Sequence, residues 1–151
     1  MWTPGHSDDS VCYYRHTGDD NQGVVFTGDT LFVGGCGRVF TRSPETMWSS
    51  LQLLAALPPE TLVYCGHDYS LEDYEFARTV EPDNLAVKAR LKEIRGLVES
   101  GRMTVPSTIA QELETNPFLR ASSAEMKAAL KMPEASDVEA FAALRRIKDR
   151  F

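Results

Sequence analysis

The chain has 151 residues, with 16 Lys and Arg against 22 Asp and Glu, a formal net charge of −6. That length suits one domain, or a half-domain joined to a small helical one. The acidic balance argues against general binding to nucleic acid or to an anionic membrane and leaves any anionic ligand to local basic clusters, which occur near Arg38 and from Arg145 to Arg150. The three cysteines (Cys12, Cys36 and Cys65) are odd in number, far apart and in no C-x-x-C arrangement, so reduced thiols in a cytosol-like compartment are expected. No apolar run reaches the roughly 18 residues of a membrane span, and no signal peptide is read before Trp2, so the expected location is the cytoplasm.

The chain opens on Thr3-Pro4-Gly5-His6, a Pro-Gly turn that ends in a histidine almost at once, and the expectation is that something is missing upstream. Val11–His16 has strand propensity, Thr17–Gly23 carries turn residues, and Val24–Thr27 returns as a second, β-branched strand, which together predict a hairpin with a long tip. That second strand stops at Gly28-Asp29-Thr30, where glycine frees the backbone for a sharp turn and leaves Asp29 at the strand's carboxyl end. Ser43-Pro44-Glu45 supplies an N-cap, a proline at the first helical position and an acid in the first turn. The helix predicted there runs to about Leu57, with Met47, Trp48, Leu51, Leu54 and Ala55 on one buried face. Pro58-Pro59 stops it, and Leu62–Cys65 reads as a short central strand ending at Gly66-His67. Strand, helix, strand is a βαβ unit, whose functional side chains gather at strand carboxyl ends.

Beyond Ser70 the pattern becomes helical. Helices are predicted over Ser70–Val80, Asn84–Ser100, Pro106–Leu113 and Ser136–Arg150, the last turning Val138, Phe141, Ala142, Leu144 and Ile147 inward. No strand signal follows Cys65, so residues 1–76 read as α/β material and 77–151 as a helical subdomain.

Of the three histidines, His6 and His67 sit beside glycines at predicted turns or strand ends, and Asp29 lies between them in sequence. Two imidazoles and a carboxylate form a mixed nitrogen and oxygen donor set suited to zinc, manganese or iron. Taken alone, Asp29 could bridge two cations, cap a turn or bind its own backbone. His16, near the hairpin tip, reads as exposed and inert.

Thr3-Pro4-Gly5-His6, Phe26-Thr27-Gly28-Asp29-Thr30-Leu31-Phe32 and Tyr64-Cys65-Gly66-His67 resemble the later metal motifs of the metallo-β-lactamase superfamily. Pro106-Ser107-Thr108-Ile109, Asn116-Pro117-Phe118-Leu119-Arg120 and Arg145-Arg146-Ile147-Lys148-Asp149 resemble the C-terminal domain of the glyoxalase II (hydroxyacylglutathione hydrolase) family. The resemblance covers essentially the whole chain. It implies an α/β fold, the second half of an αββα sandwich, followed by an all-α subdomain that binds glutathione. It also implies that His6 ligates a first metal, that Asp29 bridges two divalent metals, and that His67 ligates the second. Zinc would come first, with iron or manganese as alternatives. Arg38 falls at a basic position that contacts glutathione, Tyr69 at a tyrosine that binds the same ligand, and Arg145 and Lys148 at a basic pair gripping its glycine carboxylate. The implied reaction is hydrolysis of the thioester of S-D-lactoylglutathione to D-lactate and glutathione, by a hydroxide that bridges the metals beside Asp29, with no nucleic-acid or membrane partner; the oligomeric state is left open, a monomer being the expectation for the complete protein.

Two departures bear on this. Phe40 stands where the family often has a tyrosine, so a hydroxyl contact to the ligand is lost, and the superfamily's H-x-H-x-D-H motif, which supplies four further metal ligands, is absent from the chain. The expectation is therefore a chain with little or no hydrolase activity alone and an exposed apolar edge. Two other readings are a persulfide dioxygenase, a mononuclear iron enzyme sharing the metal motifs and a Gly35–Arg38-like segment, and a non-catalytic glutathione-binding module. Residues 106–151 resemble the hydrolase end rather than the dioxygenase end.

Overall fold

A computed structural model describes residues 1–16, 23–41 and 43–151. Strand β1 (Tyr13–His16) pairs antiparallel with β2 (Gly23–Gly28), as the hairpin reading expects; most of the expected tip, residues 17–22, lies outside the described residues. A two-stranded ribbon follows, β3 (Leu31–Phe32) with β4 (Gly35–Cys36). Helix α1 (Pro44–Ala55) then crosses back so that β5 (Leu62–Cys65) runs parallel to β2, completing the βαβ unit. Ser43 occupies the N-cap position with extended backbone, yet its side chain makes no capping bond and lies against Thr46 instead, leaving Pro44 and the acid Glu45 to start the helix. Met47, Trp48, Leu51 and Leu54 are buried as the periodicity predicts.

The remaining elements are α2 (Ser70–Val80), α3 (Leu85–Glu99), β6 (Ser107–Thr108), α4 (Ile109–Thr115), a 3-10 turn at Leu119–Ser122, α5 (Ala124–Ala129) and α6 (Asp137–Lys148). The Asn84 side chain caps α3 through the Ala86 and Val87 amides, and Thr108 and Ser136 close capping boxes with Gln111 and Glu139. The helical part is not purely α. An N-cap residue has extended backbone, and the extended Ser107–Thr108 preceding α4 adds itself antiparallel to β5, giving the sheet order β1-β2-β5-β6. Among the described residues no helix is long and apolar enough to cross a membrane.

Val25 and Val63 face α1 and join one core with Phe76, Ile109, Phe118, Met126, Phe141 and Leu144, so the helical part is built onto the sheet's helix-covered side. A second cluster, Tyr74, Ala77, Val87, Leu91 and Ile94, packs α2 against α3. On the opposite sheet face Tyr13 and Phe26 are exposed, with Phe26 stacked on Tyr64 at 5.6 Å.

Helix α6 departs from its predicted face. Ala140, Phe141, Ala143, Leu144, Arg145 and Lys148 are buried, whereas Ala142 and Val138 are half-buried and Ile147 is 44% exposed. Phe141, Leu144, Arg145 and Lys148 follow the i, i+3, i+4, i+7 spacing of one stripe, so two cations complete the inward face in place of Ile147. Their long aliphatic stems pack against the aromatic core, with the Arg145 guanidinium 4.9 Å from the Phe118 ring centre and the Lys148 ammonium 5.1 Å from that of Phe151.

Candidate functional site

Gly28 has a positive φ of 52°, the left-handed backbone that lets β2 turn within one residue, and Thr30 N–H closes the turn on the Thr27 carbonyl at 3.0 Å. Asp29 is thereby set between the Pro-Gly turn carrying His6 and the end of β5 carrying His67. His67 Nδ1 lies 2.7 Å from Asp29 Oδ1, and His6 Nε2 lies 3.6 Å from Asp29 Oδ2, so each carboxylate oxygen faces a different histidine. The other nitrogen of His6, Nδ1, is 3.0 Å from the Arg38 carbonyl oxygen. A carbonyl only accepts, so Nδ1 donates to it, and Nε2 is the nitrogen that faces Asp29. The three donors are strung across the carboxylate rather than closed around one point. Among the described residues no group of three or more His, Cys, Asp or Glu forms a ready metal cage.

His6 and Asp29 form one end of a cleft of about 420 Å³. Its other walls are Phe32, Cys36, Gly37, Arg38 and Phe40 from the ribbon and the segment after it, Tyr69, Glu72 and Asp73 from the start of α2, and Arg145 and Lys148 from α6. All five residues expected to bind ligand therefore share one cavity with two of the three expected metal ligands. His67 sits just outside the lining, its ring stacked on Tyr69 at 5.4 Å, while Phe40 leans on His6 at 5.3 Å. His16 is exposed at the end of β1 and takes no part.

Every cation in the cleft has a partner. Arg145 donates through Nη1 to the Cys36 carbonyl at 2.8 Å and through Nε to Asp149 at 3.0 Å. Lys148 reaches Glu72 at 2.5 Å and Asp73 at 3.2 Å, and Arg38 lies 3.9 Å from Asp149. Burial pushes the Asp73 carboxyl up to about 6 despite Lys148 beside it, and pushes the fully enclosed Cys36 thiol up to about 12 despite Arg145, so that Cys36 stays protonated and unreactive at neutral pH. Behind His67, Asp68 is held below the usual carboxylate range: burial opposes this, but hydrogen bonds from Ser70 and Thr104 outweigh it.

Comparison with known proteins gives this geometry its context. A family model described as the hydroxyacylglutathione hydrolase C-terminus matches residues 68–151, and one described as the metallo-beta-lactamase superfamily matches residues 1–67. The chain belongs to the hydroxyacylglutathione hydrolase family. Proteins named hydroxyacylglutathione hydrolase from Brucella ovis and Brucella abortus are 49% identical over 149 residues, which is 99% of this chain and 56% of each relative. The chain thus spans about half the length of the curated relatives it matches. Among solved structures, ETHE1 from Myxococcus xanthus aligns with a TM-score of 0.50 at 29% identity, over 98% of this chain and 51% of that one. A metallo-beta-lactamase from Staphylococcus aureus aligns with a TM-score of 0.52 at 20% identity, over 98% of this chain and 38% of that one, a likeness of fold.

For a hydroxyacylglutathione hydrolase chain, the informative additions are Glu72 and Asp73. Sequence reasoning passes over both, because acids in the first turn of a helix are already explained by the helix dipole. The signal available was their position three and four residues after Tyr69, which places them beside it at the start of α2.

Proposed function

We propose that this chain carries the glutathione-binding part and a portion of the metal site of a hydroxyacylglutathione hydrolase, which cleaves the thioester of S-D-lactoylglutathione to D-lactate and glutathione. The observation that carries this reading is the single cleft in which His6 and Asp29 meet Arg38, Phe40, Tyr69, Arg145 and Lys148. A ligand with an anionic tail and a hydrolysable acyl end fits that polarity. Arg145 and Lys148 bind the tail carboxylate, Tyr69 and Phe40 flank the peptide, and Arg38 stands at the cleft wall.

His6, Asp29 and His67 are the residues to hold a divalent metal, since their donor set suits zinc, iron or manganese. Such an ion, when bound, lowers the pKa of a water and polarises the thioester carbonyl. Arg38, through its carbonyl, fixes the protonated nitrogen of His6, and Asp29 orients His67. Residues 1–76 form the partial metallo-β-lactamase-like part and 77–151 the glutathione-binding helical part of this reading, with α2 shared across the divide. The proposed setting is the cytoplasm, with a monomer acting on a small-molecule substrate.

Two observations weigh on the alternatives. The match of residues 68–151 to the hydroxyacylglutathione hydrolase C-terminus favours a hydrolase over a persulfide dioxygenase. The open arrangement of only three donors favours a chain that alone binds glutathione and hydrolyses little thioester. Titration calorimetry with glutathione tests the reading. Binding is expected, with Arg145→Ala and Lys148→Ala each weakening it about tenfold or more, the loss appropriate to a charge-assisted contact. Unchanged affinity in both variants would remove the cleft from consideration.

A further inference from the structure

Asp73 differs from the other acids of the cleft. It is 4% exposed; its Oδ1 faces the Lys148 ammonium at 3.2 Å, while its Oδ2 is buried with no hydrogen-bond partner among the described residues. That oxygen lies flat on Gly35: a Cβ built there would meet it at 2.1 Å, so the glycine is what allows the carboxylate this close to β4. A buried carboxylate with one oxygen unsatisfied is costly, and no structural bond accounts for it. Glu72, by contrast, is exposed on its outer side and meets the same ammonium from the solvent.

Resting on the glutathione reading above, we propose that Asp73 is a positioning and specificity-determining residue of the anion-binding end: it holds the Lys148 ammonium at the cleft wall and tempers its charge, so that Asp73 sets how strongly the cleft takes a carboxylate ligand. The groups facing Asp73 are Lys148 and Arg145 from α6, with Asp149 beyond them, Glu72 from its own helix, and the Cys36 thiol from β4. Burial is the main influence raising the Asp73 carboxyl to about 6, with Glu72 adding to it and Lys148 and Arg145 opposing. Below that pH the carboxyl is neutral and Lys148 presents more of its charge to a ligand. Above it the carboxylate competes with the ligand for the same ammonium. A bound anion disfavours ionised Asp73 further, so binding draws a proton onto the protein.

The experiment is calorimetric titration of the full chain with glutathione from pH 5 to pH 8, a range in which the ligand's own carboxylates stay ionised. Wild-type affinity is expected to fall about tenfold across this range, corresponding to one unit of coupling between Asp73 and the ligand anion. The isosteric Asp73→Asn variant is expected to bind at pH 8 about as tightly as wild type does at pH 5 and to lose most of the slope. What slope remains is common to both proteins and does not bear on Asp73. Lys148→Met, a second variant that leaves the carboxylate in place but removes the ammonium it faces, is expected to bind weakly with a flattened profile. A wild-type profile without slope, or an Asp73→Asn profile parallel to wild type, overturns the assignment while leaving the glutathione reading intact. Absence of glutathione binding at every pH overturns both.

Discussion

Glu112 offers the sharpest test of how the helical part supports the cleft. It is fully buried on α4, and its Oε2 accepts from the Gly34 amide at 2.9 Å and from Asn116 Nδ2 at 2.8 Å. Replacing Glu112 with alanine strands the Gly34 amide in a site closed to water, at about 1–3 kcal/mol, and takes one acceptor from Asn116 Nδ2, which keeps the Phe32 and Gly35 carbonyls. Part of that is offset because the substitution also removes a buried oxygen, Oε1, that completes no hydrogen bond. The expected net loss is about 1–3 kcal/mol, a substantial share of the 5–15 kcal/mol typical of a domain. Glutamine keeps one acceptor for both donors and brings an amide N–H₂ to the Ser107 side, where Ser107 Oγ likewise completes no bond, so Glu112→Gln should lie within about 1 kcal/mol of wild type. The pH dependence has a defined sign. Burial raises the folded-state pKa of Glu112 above its unfolded value, against the lowering contacts from Gly34 and Asn116. This group's contribution is therefore fully present below the unfolded pKa and is lost as pH rises through the folded one. Glu112→Gln should gain on wild type as pH rises. Urea unfolding followed by tryptophan fluorescence, with Trp48 packed on Phe141 as the buried reporter, measures all of this. If alanine costs under about 1 kcal/mol, or glutamine costs as much as alanine, the network does not hold the loop as argued.

Two further outcomes are expected. Zinc titration against a chromophoric chelator should find binding that Asp29→Ala abolishes and that His6→Ala and His67→Ala each weaken by about tenfold or more, with His16→Ala unchanged; indistinguishable wild-type and Asp29→Ala curves would rule out the site. Arg120 donates two bonds to the buried Glu81 carboxylate, at 2.8 and 2.9 Å, so Arg120→Ala should destabilise by about 2–4 kcal/mol, discounted for the partial exposure of the guanidinium, while the double change Arg120→Met with Glu81→Leu should cost clearly less; equal losses in urea unfolding would contradict this.

The elements most legible from the sequence were those whose signals are local. Pro44 fixed the start of α1, Asn84 that of α3, and the β-branched run ahead of Gly28 marked β2. Asp29, His6 and His67 were readable because each follows a glycine at a turn or strand end. What escaped was decided over long separations. The short α5 and the 3-10 turn have too few residues for a periodic signal, and β6 exists because β5 has an open edge beside it. Helix α6 was read with Ile147 inward because hydrophobicity outranks charge in any local count. The partners that make an inward Lys148 tolerable, Glu72 and Asp73, are 76 and 75 positions away in the chain. The roles of Arg38, Tyr69, Arg145 and Lys148 came from family resemblance alone, and spacing does not yield them.

One physical thread joins the two ends of the cleft. The segment Phe32–Arg38 is only seven residues long, yet the helical part grips it at four backbone groups. Asn116 donates to the Phe32 and Gly35 carbonyls, Glu112 accepts from the Gly34 amide, and Arg145 donates to the Cys36 carbonyl. The same segment ends at the Arg38 carbonyl, which accepts a hydrogen bond from His6 Nδ1 and so presents Nε2 to Asp29. Arg145 thus lines the proposed anion-binding end while bonding two residues from the carbonyl that orients a metal-competent histidine. A glycine-rich loop has little stiffness of its own, so the fixed position of that carbonyl depends on the residues that tie the loop down. Helical residues far from Asp29 in sequence are therefore part of what holds the imidazole in place. On this argument Glu112→Ala should loosen both ends of the cleft together, weakening glutathione and zinc binding in the same variant, whereas loss at one end alone would mean that the loop is rigid without its tethers.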